Sequence, residues 1–548
     1  TGGWELAAAR AVCADDDISP DDVTDLTSRL ADKSLIIIED PDSDGHVRSR
    51  MLETLVEYGR ERLAASGDAE RVRAAHAHYF CDLMTRSLAA LRGEDQREWL
   101  RAIASNMANV RAVFEAATTS GDVETAHRLA GSLGWYWWFT GRALEGSGWL
   151  TAAQSCPGNT DPDTRARLLA WSAFMKAPGF VSWPDRDDPV SNPAPGPGAS
   201  VDELYEEARS LYQRAGALDE LVGVQTALSV TYSARADHVR ARDLLSEAEH
   251  ILAGLDPAPW VAAMAAYVSA RRAFVEDRRH DAEQAFLASI PLFDAIGGDV
   301  HRAFAYRYVG RLSAQRGDHD ASIKAIEKAR QLSGELRLSA FSNVLVTDLA
   351  ASLAFSGAFE QARSVLDQTL RAARDSRSPA GIAESMTALG WVAWREGNGS
   401  EAERLATEAL ESARAAETPE QVAHCHLILG LAAMQRGDTA RAGTQFRQTL
   451  EMGRRTGEPR QLALALEGLA AVAITEHDGL AAARLTGAAA ALRQSLGRVT
   501  GWAFAAVTPV DVVDVAARAR GLIGAEAAAA AYASGAADPY AKLTDTKV

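Results

Sequence analysis

The chain alternates amphipathic helical stretches with short turns, and the turns recur at regular intervals. Gly317-Asp318, Gly357-Ala358, Gly397-Asn398 and Gly437-Asp438 are spaced forty residues apart. Weaker members continue the series in both directions, and they are Ala236-Asp237, Asp277 and His477-Asp478. Glycine ends a helix at low backbone cost. The pattern therefore predicts an all-α chain with one helical hairpin in every forty residues.

Small residues keep the same phase as these turns. Five residues after the turns stand Ala241, Ala282, Ser322, Ala362, Ala402, Ala442 and Ala482. Twelve residues before each of these small residues stands another, and this second set is Ser229, Ala270, Gly310, Ala350, Gly390, Gly430 and Ala470. Two helices approach closely only where neither carries bulk at the crossing. We expect each hairpin to cross at these positions.

This pattern resembles the tetratricopeptide repeat, most clearly at Leu389-Gly390, Gly397, Ala402 and Ala409 and at Leu429-Gly430, Gly437 and Ala442. The resemblance covers residues 201–495 and implies a right-handed αα superhelix. A usual repeat has about 34 residues. Forty residues imply longer helices.

The remaining segments differ from the array. Residues 67–177 are predicted to be helical and repeat-like, with turns at Gly121-Asp122 and Gly141-Arg142, and 178–200 is predicted to be a Pro-rich loop. Residues 496–548 are predicted to hold two capping helices, at 510–522 and 525–534, and a polar tail. In residues 1–66, a helix at 21–30, strands at 34–39 and 47–51 around a turn at 40–45, and a helix at 53–65 suggest a winged-helix module.

A second resemblance is carried by motifs in order along the chain. They are Asp32-Lys33-Ser34-Leu35, Arg50-Met51-Leu52-Glu53-Thr54-Leu55, Glu57-Tyr58, Trp99-Leu100, Asn106, Asn109-Val110-Arg111, Trp137-Trp138, Glu145-Gly146, Trp149-Leu150, Ala483-Arg484-Leu485-Thr486-Gly487-Ala488 and Leu492-Arg493. These motifs are similar to those of AfsR-like and LuxR-like bacterial regulators of the class of signal-transduction ATPases with numerous domains (STAND). The resemblance implies a truncated winged helix followed by a repeat arm that receives a signal.

Such regulators carry a nucleotide-binding module upstream. This chain has no GxxxxGK[ST] phosphate-binding loop, and Leu52 stands where distant relatives have the histidine of a Met-His-Asp motif. We therefore expect no cofactor in this chain, and ATP or ADP only in an upstream domain. Because Thr1 is not an initiator methionine, the chain is expected to be part of a longer protein, although a stand-alone protein remains an alternative.

The charge of the chain bears on whether it binds nucleic acid. The formal net charge is −17, and residues 1–66 hold seven Arg/Lys against fifteen Asp/Glu, so direct nucleic-acid contact is not expected. The cysteines Cys13, Cys81, Cys156 and Cys425 form no disulfide or metal pattern. Without a disulfide framework, a reducing cytoplasm is the expected compartment. No apolar run reaches the length of a membrane span.

Three motifs suggest enzymatic or metal chemistry and are better explained structurally. The stretch 35–40 resembles a magnesium-holding ATPase strand but lacks a phosphate loop. His424 and His426, like His76 and His78, are two residues apart, so on a helix they point about 200° apart and cannot share a tetrahedral metal ion. No nucleophile motif is present, and we predict a non-enzymatic protein.

The first helix of each tetratricopeptide hairpin lines the concave groove. Positions one and four after the crossing residue, and three and six before it, should face inward. They select Tyr267, Arg271, Phe274, Phe304, Arg307, Arg311, Thr387, Trp391, Trp394, His424, Leu427, Leu431 and Met434. The arginines are typical of a carboxylate or phosphate site, and the aromatic and aliphatic side chains suit an apolar ligand. Alternatively, these groups pack against one another and the arginines pair with local acids.

Two functions fit these observations. The chain is a sensor arm that binds a small-molecule inducer, a peptide or a partner protein and transmits the signal upstream, or it is a passive scaffold for protein complexes. Self-association is a further option. In the sensor, binding of a ligand alone changes the conformation of the protein. In the passive scaffold it does not.

Overall fold

The computed structural model describes residues 2–41, 45–93, 95–177, 199–234, 237–456, 458–496 and 512–539. These residues are helical apart from one two-stranded sheet and the connecting turns. They form two compact units. Of the described residues, the first unit contains those up to Lys176, those from 199 to Glu220, and 296–298. The second unit contains 221–295 and the residues from Asp299 onward.

The N-terminal module has the predicted order of helix, hairpin and helix. Its elements are α1 (Leu6–Cys13), α2 (Pro20–Asp32), β1 (Ile36–Ile38), β2 (Ser49–Met51) and α3 (Glu53–Ser66). A capping box between Ser19 and Asp22 begins α2, with Pro20 in its first turn. The strands are antiparallel, with Ile36 opposite Met51. Part of the predicted turn, residues 42–44, lies outside the described residues, and the winged-helix assignment stays a prediction.

The rest of the first unit is helical, as predicted for 67–177. Its helices are α4 (Ala69–Ala90), α5 (Gln96–Ser120), α6 (Val123–Ser132), α7 (Gly134–Thr140), α8 (Ala143–Gln154), α9 (Pro162–Lys176) and α10 (Val201–Ala215). Gly121 and Gly141 follow α5 and α7 with left-handed φ angles of 76° and 74°, which confirms both predicted turns. Trp137 and Trp171 are buried in this unit, so the aromatic run of α7 is part of its core.

Most of the Pro-rich segment, residues 178–198, lies outside the described residues. Beyond it the array continues with hairpins of two helices at forty-residue intervals. They are α11 (Leu218–Ala234), α12 (His238–Gly254), α13 (Pro259–Val275), α14 (Arg279–Asp294), α15 (Asp299–Gln315), α16 (His319–Glu335), α17 (Ser339–Phe355), α18 (Phe359–Asp375), α19 (Pro379–Arg395), α20 (Gly399–Ala415), α21 (Pro419–Gln435), α22 (Thr439–Thr456), α23 (Pro459–Thr475) and α24 (Gly479–Leu496). Two further helices, α25 (Val512–Ile523) and α26 (Ala525–Ala537), match the predicted capping helices.

The turn inside each hairpin has the predicted glycine geometry. Gly317, Gly357, Gly397 and Gly437 all adopt left-handed φ angles, between 78° and 91°. The turns between hairpins follow the same path without glycine, because Arg337, Arg377 and Glu417 have φ angles of 51–56°. In each of these turns the next amide donates to a carbonyl five residues earlier, for example Ser378 N to Ala373 O at 2.9 Å. The sequence gives little sign of this second left-handed position.

The small crossing residues are packed closely, as the phase predicted. Ala402 and Ala442 are completely buried. The ring of Phe446, in α22, covers Gly430 so tightly that an added Cβ would lie 2.6 Å from it. Side-chain bulk at the crossing would therefore separate α21 from α22.

The two helices of a hairpin differ in burial. In the hairpin of α21 and α22, the first helix buries every residue from 425 to 433, whereas the second helix buries only one face. A helix buried around its circumference lies inside the fold, and a helix with one apolar stripe covers it from outside. The first helices therefore form the inner layer of the second unit, so the residues that they leave partly exposed are the candidates for ligand contact.

Candidate ligand-binding surface

One repeated position of the inner layer stays partly open in four successive first helices. Phe304, Val344, Glu384 and His424 each stand six residues before a crossing residue, and each is intermediate in exposure. We call these four residues the inner row. Their neighbours three residues later in α19 and α21, Thr387 and Leu427, are buried. The inner row therefore consists of partly exposed side chains that a ligand can reach.

Of the other predicted residues, Arg311, Arg307, Trp394 and Met434 are also partly exposed. Tyr267, Arg271, Phe274, Trp391 and Leu431 are buried. The rule for inward positions thus selects both a partly open surface and the packing layer beneath it.

Arg271 belongs to that packing layer. It is 1% exposed, and its Nη1 donates to the Tyr308 hydroxyl at 2.5 Å. Its guanidinium also lies over the Tyr308 ring, 4.9 Å from the centroid, and its Nη2 is 3.4 Å from Ser229 Oγ. Aromatic faces and hydroxyls compensate this cation in part. Arg271 therefore lies within the interior packing and is not presented to a ligand.

The aromatic residues around Arg271 pack against one another. Tyr267 lies edge-on to Phe286 and Phe293, at 5.7 and 6.0 Å between ring centroids. Phe274 lies 4.9 Å from the Tyr308 ring. Burial raises the pKa of the Tyr267 phenol, so this hydroxyl stays protonated. Mutual packing was the alternative to ligand binding for these residues, and it is the arrangement found in this part of the predicted site.

Arg307 and Arg311 lie one turn apart on α15. Arg307 pairs with Asp348 of α17, Nε to Oδ2, at 2.7 Å. Burial lowers the pKa of Arg311 to about 10, and the positive charge of Arg307 adds to the effect. Asp348 therefore acts on both cations, because it pairs with Arg307 and its negative charge opposes the lowering of the pKa of Arg311. Sequence reasoning missed Asp348, because it is two residues before a crossing residue and outside the rule.

The C-terminal ends of α17 and α19 form an aromatic platform. Phe355 lies 5.3 Å from Trp391, and Trp391 lies 6.3 Å from Trp394, measured between ring centroids. The exposed Arg395 places its guanidinium 4.6 Å from the Phe355 centroid. An apolar wall was predicted here, but Phe355 and Arg395 were not, because their contacts depend on the angle between successive hairpins.

The helix α21 contributes one titratable inner-row residue above an apolar layer. Burial lowers the pKa of His424 to about 4, with a smaller contribution from the charge of Arg460, so its imidazole is neutral at pH 7. Below it, Leu427 and Leu431 join the buried core, and Met434 packs against that core. Sequence reasoning missed Arg460, which stands at the start of α23.

Glu384 is the inner-row carboxylate. Burial raises its pKa from an ordinary 4.5 to about 6. Among the described residues, no group hydrogen-bonds to it or pairs with it. The sequence rule also selects Glu384, six residues before Gly390, although we did not include it in the predicted set. A partly buried carboxylate without a partner is costly to the fold and available to a ligand.

No cluster of three or more His, Cys, Asp or Glu side chains with metal-binding geometry occurs in the described parts of the chain. His426 instead hydrogen-bonds through Nδ1 to Gln445 at 2.7 Å. None of the described helices is both long enough and apolar enough to cross a membrane.

Parts of the chain are similar to a known repeat family and to bacterial regulators. Residues 341–415 match the family model of the tetratricopeptide repeat. Over 176 residues the chain is 34% identical to proteins named HTH-type transcriptional regulators in Mycobacterium bovis and Mycobacterium tuberculosis. That match covers 32% of this chain and 19% of each regulator, so the chain spans about a fifth of the length of these curated relatives.

One similar solved structure is the STAND protein with a tetratricopeptide repeat sensor from Pyrococcus horikoshii. It is 13% identical, covering 82% of this chain and 60% of that protein, with a TM-score of 0.44. The forty-residue hairpins and the family match show that the chain contains tetratricopeptide repeats, and over 176 residues it resembles HTH-type transcriptional regulators.

Proposed function

We propose that this chain is the sensor arm of a bacterial transcription regulator. Its inner layer binds an inducer, which is a small molecule, a peptide or a segment of a partner protein. Binding changes the coiling of the repeats and is transmitted to a nucleotide-binding module elsewhere in a longer cytoplasmic protein. In this proposal ATP or ADP binds only to that module, and the arm itself is not an enzyme.

The observation that carries the proposal is the unpartnered carboxylate of Glu384 within the inner row. Burying an ionisable group without a partner destabilises a fold. A packing function would be served better by an apolar residue at this position, such as Val344 one repeat earlier. A ligand that pairs with Glu384 gives the carboxylate a role that packing does not.

The test is thermal unfolding of the purified chain against a library of metabolites and short peptides. A ligand of the native state raises the Tm in proportion to the logarithm of its concentration above its Kd. We expect at least one compound to stabilise the parent and to bind at least tenfold more weakly to the Glu384→Gln/Trp394→Ala double variant. Glu408→Gln on the outer helix α20 is the control and should bind like the parent.

Transmission is tested separately by small-angle X-ray scattering with and without the ligand. A change in radius of gyration on binding supports a sensor. No response to any small molecule or peptide, together with retained binding of partner proteins, would contradict the sensor proposal and favour the passive scaffold.

A further inference from the structure

Glu384 lies in a depression of the inner layer. Its side chain is partly exposed to solvent, yet burial raises the pKa of its carboxyl group. Both observations hold for a group that protein atoms surround on most sides and that one side leaves open. Burial is the only cause of this pKa shift, so no described charged group on the adjacent helices α17, α18, α20 and α21 compensates the carboxylate. Glu384 therefore presents an unneutralised negative charge to the open side.

A second hydrogen-bond acceptor without a partner comes from α21. The Gln421 side chain is partly exposed, and its Oε1 is buried without a hydrogen-bond partner among the described residues. At the equivalent position one hairpin later, both ends of the Gln461 amide are engaged. Its Nε2 donates to Glu420 O at 3.4 Å, and its Oε1 accepts from Thr456 Oγ1 at 3.5 Å. Packing therefore uses the glutamine of α23 and leaves the oxygen of Gln421 without a donor, which is costly to the fold.

The register of α21 against α19 brings Glu384 and Gln421 together. Both helices are first helices of successive hairpins, so they run in the same direction, and they pack against each other. Cys425 Sγ lies 3.4 Å from Thr387 Oγ1, which fixes the turns that face each other. One turn before Thr387 stands Glu384, and one turn before Cys425 stands Gln421. Because residues three or four apart share a helix face, the carboxylate and the amide lie side by side on neighbouring helices.

The neighbours of Glu384 in the inner row define the surroundings of this pair of acceptors. Val344, in α17, is apolar and partly exposed, and Phe304 continues the row in α15. On the other side, burial lowers the pKa of His424 to about 4, so this imidazole is neutral at pH 7 and does not repel a cation. The depression therefore offers negative charge, a second acceptor and an apolar contact.

We infer that the inner layer binds a protonated amine of its ligand between the Glu384 carboxylate and the Gln421 amide, with an apolar group of the same ligand against Val344. This inference rests on the proposed function and narrows the ligand to a cation. An ammonium group has three N–H donors, so it satisfies both acceptors once the Gln421 amide turns its oxygen toward it. Its charge neutralises the carboxylate, and charge-assisted hydrogen bonds are strong in a desolvated setting.

The experiment uses 2-phenylethylamine as the probe, with 2-phenylethanol as its neutral analogue and 3-phenylpropionate as its anionic analogue. Each compound is titrated against the purified chain at pH 7 and matched ionic strength, and the rise in Tm gives its Kd. The amine should bind at least about tenfold more tightly than the alcohol, because the alcohol forms no ion pair with Glu384. The anionic analogue should bind more weakly than the alcohol.

Three variants assign this preference to the site. Glu384→Gln should bind the amine and the alcohol with equal affinity. Gln421→Leu should weaken binding of the amine about tenfold and leave binding of the alcohol unchanged. Glu408→Gln, at an exposed position of α20, removes a negative charge elsewhere and should keep the preference of the parent.

The pH dependence of binding is a readout that a structural role would not produce. Only the ionised carboxylate attracts an ammonium group, and the pKa of Glu384 is about 6. The amine stays protonated from pH 7 to pH 5, so its affinity for the parent should fall about tenfold over this range. The other carboxyl and imidazole groups on the two adjacent inner helices, those of Asp348, Glu420, His424 and His426, do not act on the pKa of Glu384. Glu384→Gln should therefore bind the amine equally at both pH values.

An amine that binds the parent no more tightly than the alcohol, including the case in which neither binds, would overturn the inference. A Glu384→Gln variant that keeps the preference for the amine would overturn it as well. If a library compound without a cationic nitrogen changes the radius of gyration, the cation site is wrong and the sensor proposal stands. If the amine binds as expected but no compound or peptide changes the radius of gyration, the cation site stands and the sensor proposal fails.

Discussion

Arg307 and Asp348 join the first helices of two successive repeats through an ion pair of 2.7 Å between Nε and Oδ2. Removing one partner of a buried pair leaves an uncompensated charge. We predict that Asp348→Asn lowers the free energy of unfolding by about 3 kcal/mol. Urea unfolding measures this change.

The control for this pair is Glu206→Gln, which removes an exposed partner of Arg209 and should cost at most about 1 kcal/mol. Adding Arg307→Met to Asp348→Asn should recover part of the lost stability, because the unpaired cation is then gone. Equal losses in Asp348→Asn and Glu206→Gln would show that the buried pair has no special role.

Two crossing glycines provide a matched test of hairpin packing. A Cβ at Gly430 would lie 2.6 Å from the Phe446 ring, whereas a Cβ at Gly390 would have 3.5 Å to its nearest neighbour. We predict that Gly430→Ala destabilises the chain by about 1–3 kcal/mol through overpacking. Gly390→Ala should be neutral or stabilising by up to about 1 kcal/mol, because alanine favours helix. Thermal unfolding of both variants distinguishes them, and equal effects would contradict the packing argument.

The period and the crossing positions could be predicted from the sequence because both depend on local rules. A left-handed turn selects glycine at Gly397, and a close approach selects small residues such as Ala402. The inner-surface residues were harder to predict. Arg271 has the inward phase of a ligand contact, but Tyr308 one repeat later captures its guanidinium. The charge of Arg460, four hairpins after α15, lowers the pKa of Arg311, and such effects between distant repeats depend on how the repeats coil.

The Arg271–Tyr308 contact gives a prediction about the interior. Tyr308→Phe removes the hydroxyl that accepts from Nη1 at 2.5 Å and leaves the buried guanidinium with fewer partners. Hydrogen bonds to charged groups contribute about 1.5–3 kcal/mol, so we expect a loss in this range. Tyr306→Phe, on the same helix and partly exposed, is the control and should change stability by less than about 0.5 kcal/mol. Urea unfolding that gave equal losses for both variants would exclude the Arg271 contact as the cause.

Glu384 makes the stability of the ligand-free chain depend on pH. Its pKa is about 6 in the folded chain against an ordinary 4.5. Below pH 4.5 the carboxyl is protonated in both states and imposes no penalty. As the pH rises from 4.5 to 6, the unfolded chain ionises first, so the free energy of unfolding falls by up to about 2 kcal/mol. Glu384→Gln should therefore be more stable than the parent at pH 7 and equal to it at pH 4.

The difference between the variant and the parent isolates this carboxylate. His424, one repeat later in the inner row, titrates near pH 4 when folded and destabilises both proteins alike in acid. Glu420→Gln, at an exposed position of α21, controls for the loss of a negative charge and should show no pH-dependent difference. Urea unfolding at pH 4, 5, 6 and 7 measures all three proteins. A parent that is as stable as Glu384→Gln at pH 7 would mean that Glu384 is solvated or paired in solution, and would remove the observation on which the sensor proposal depends.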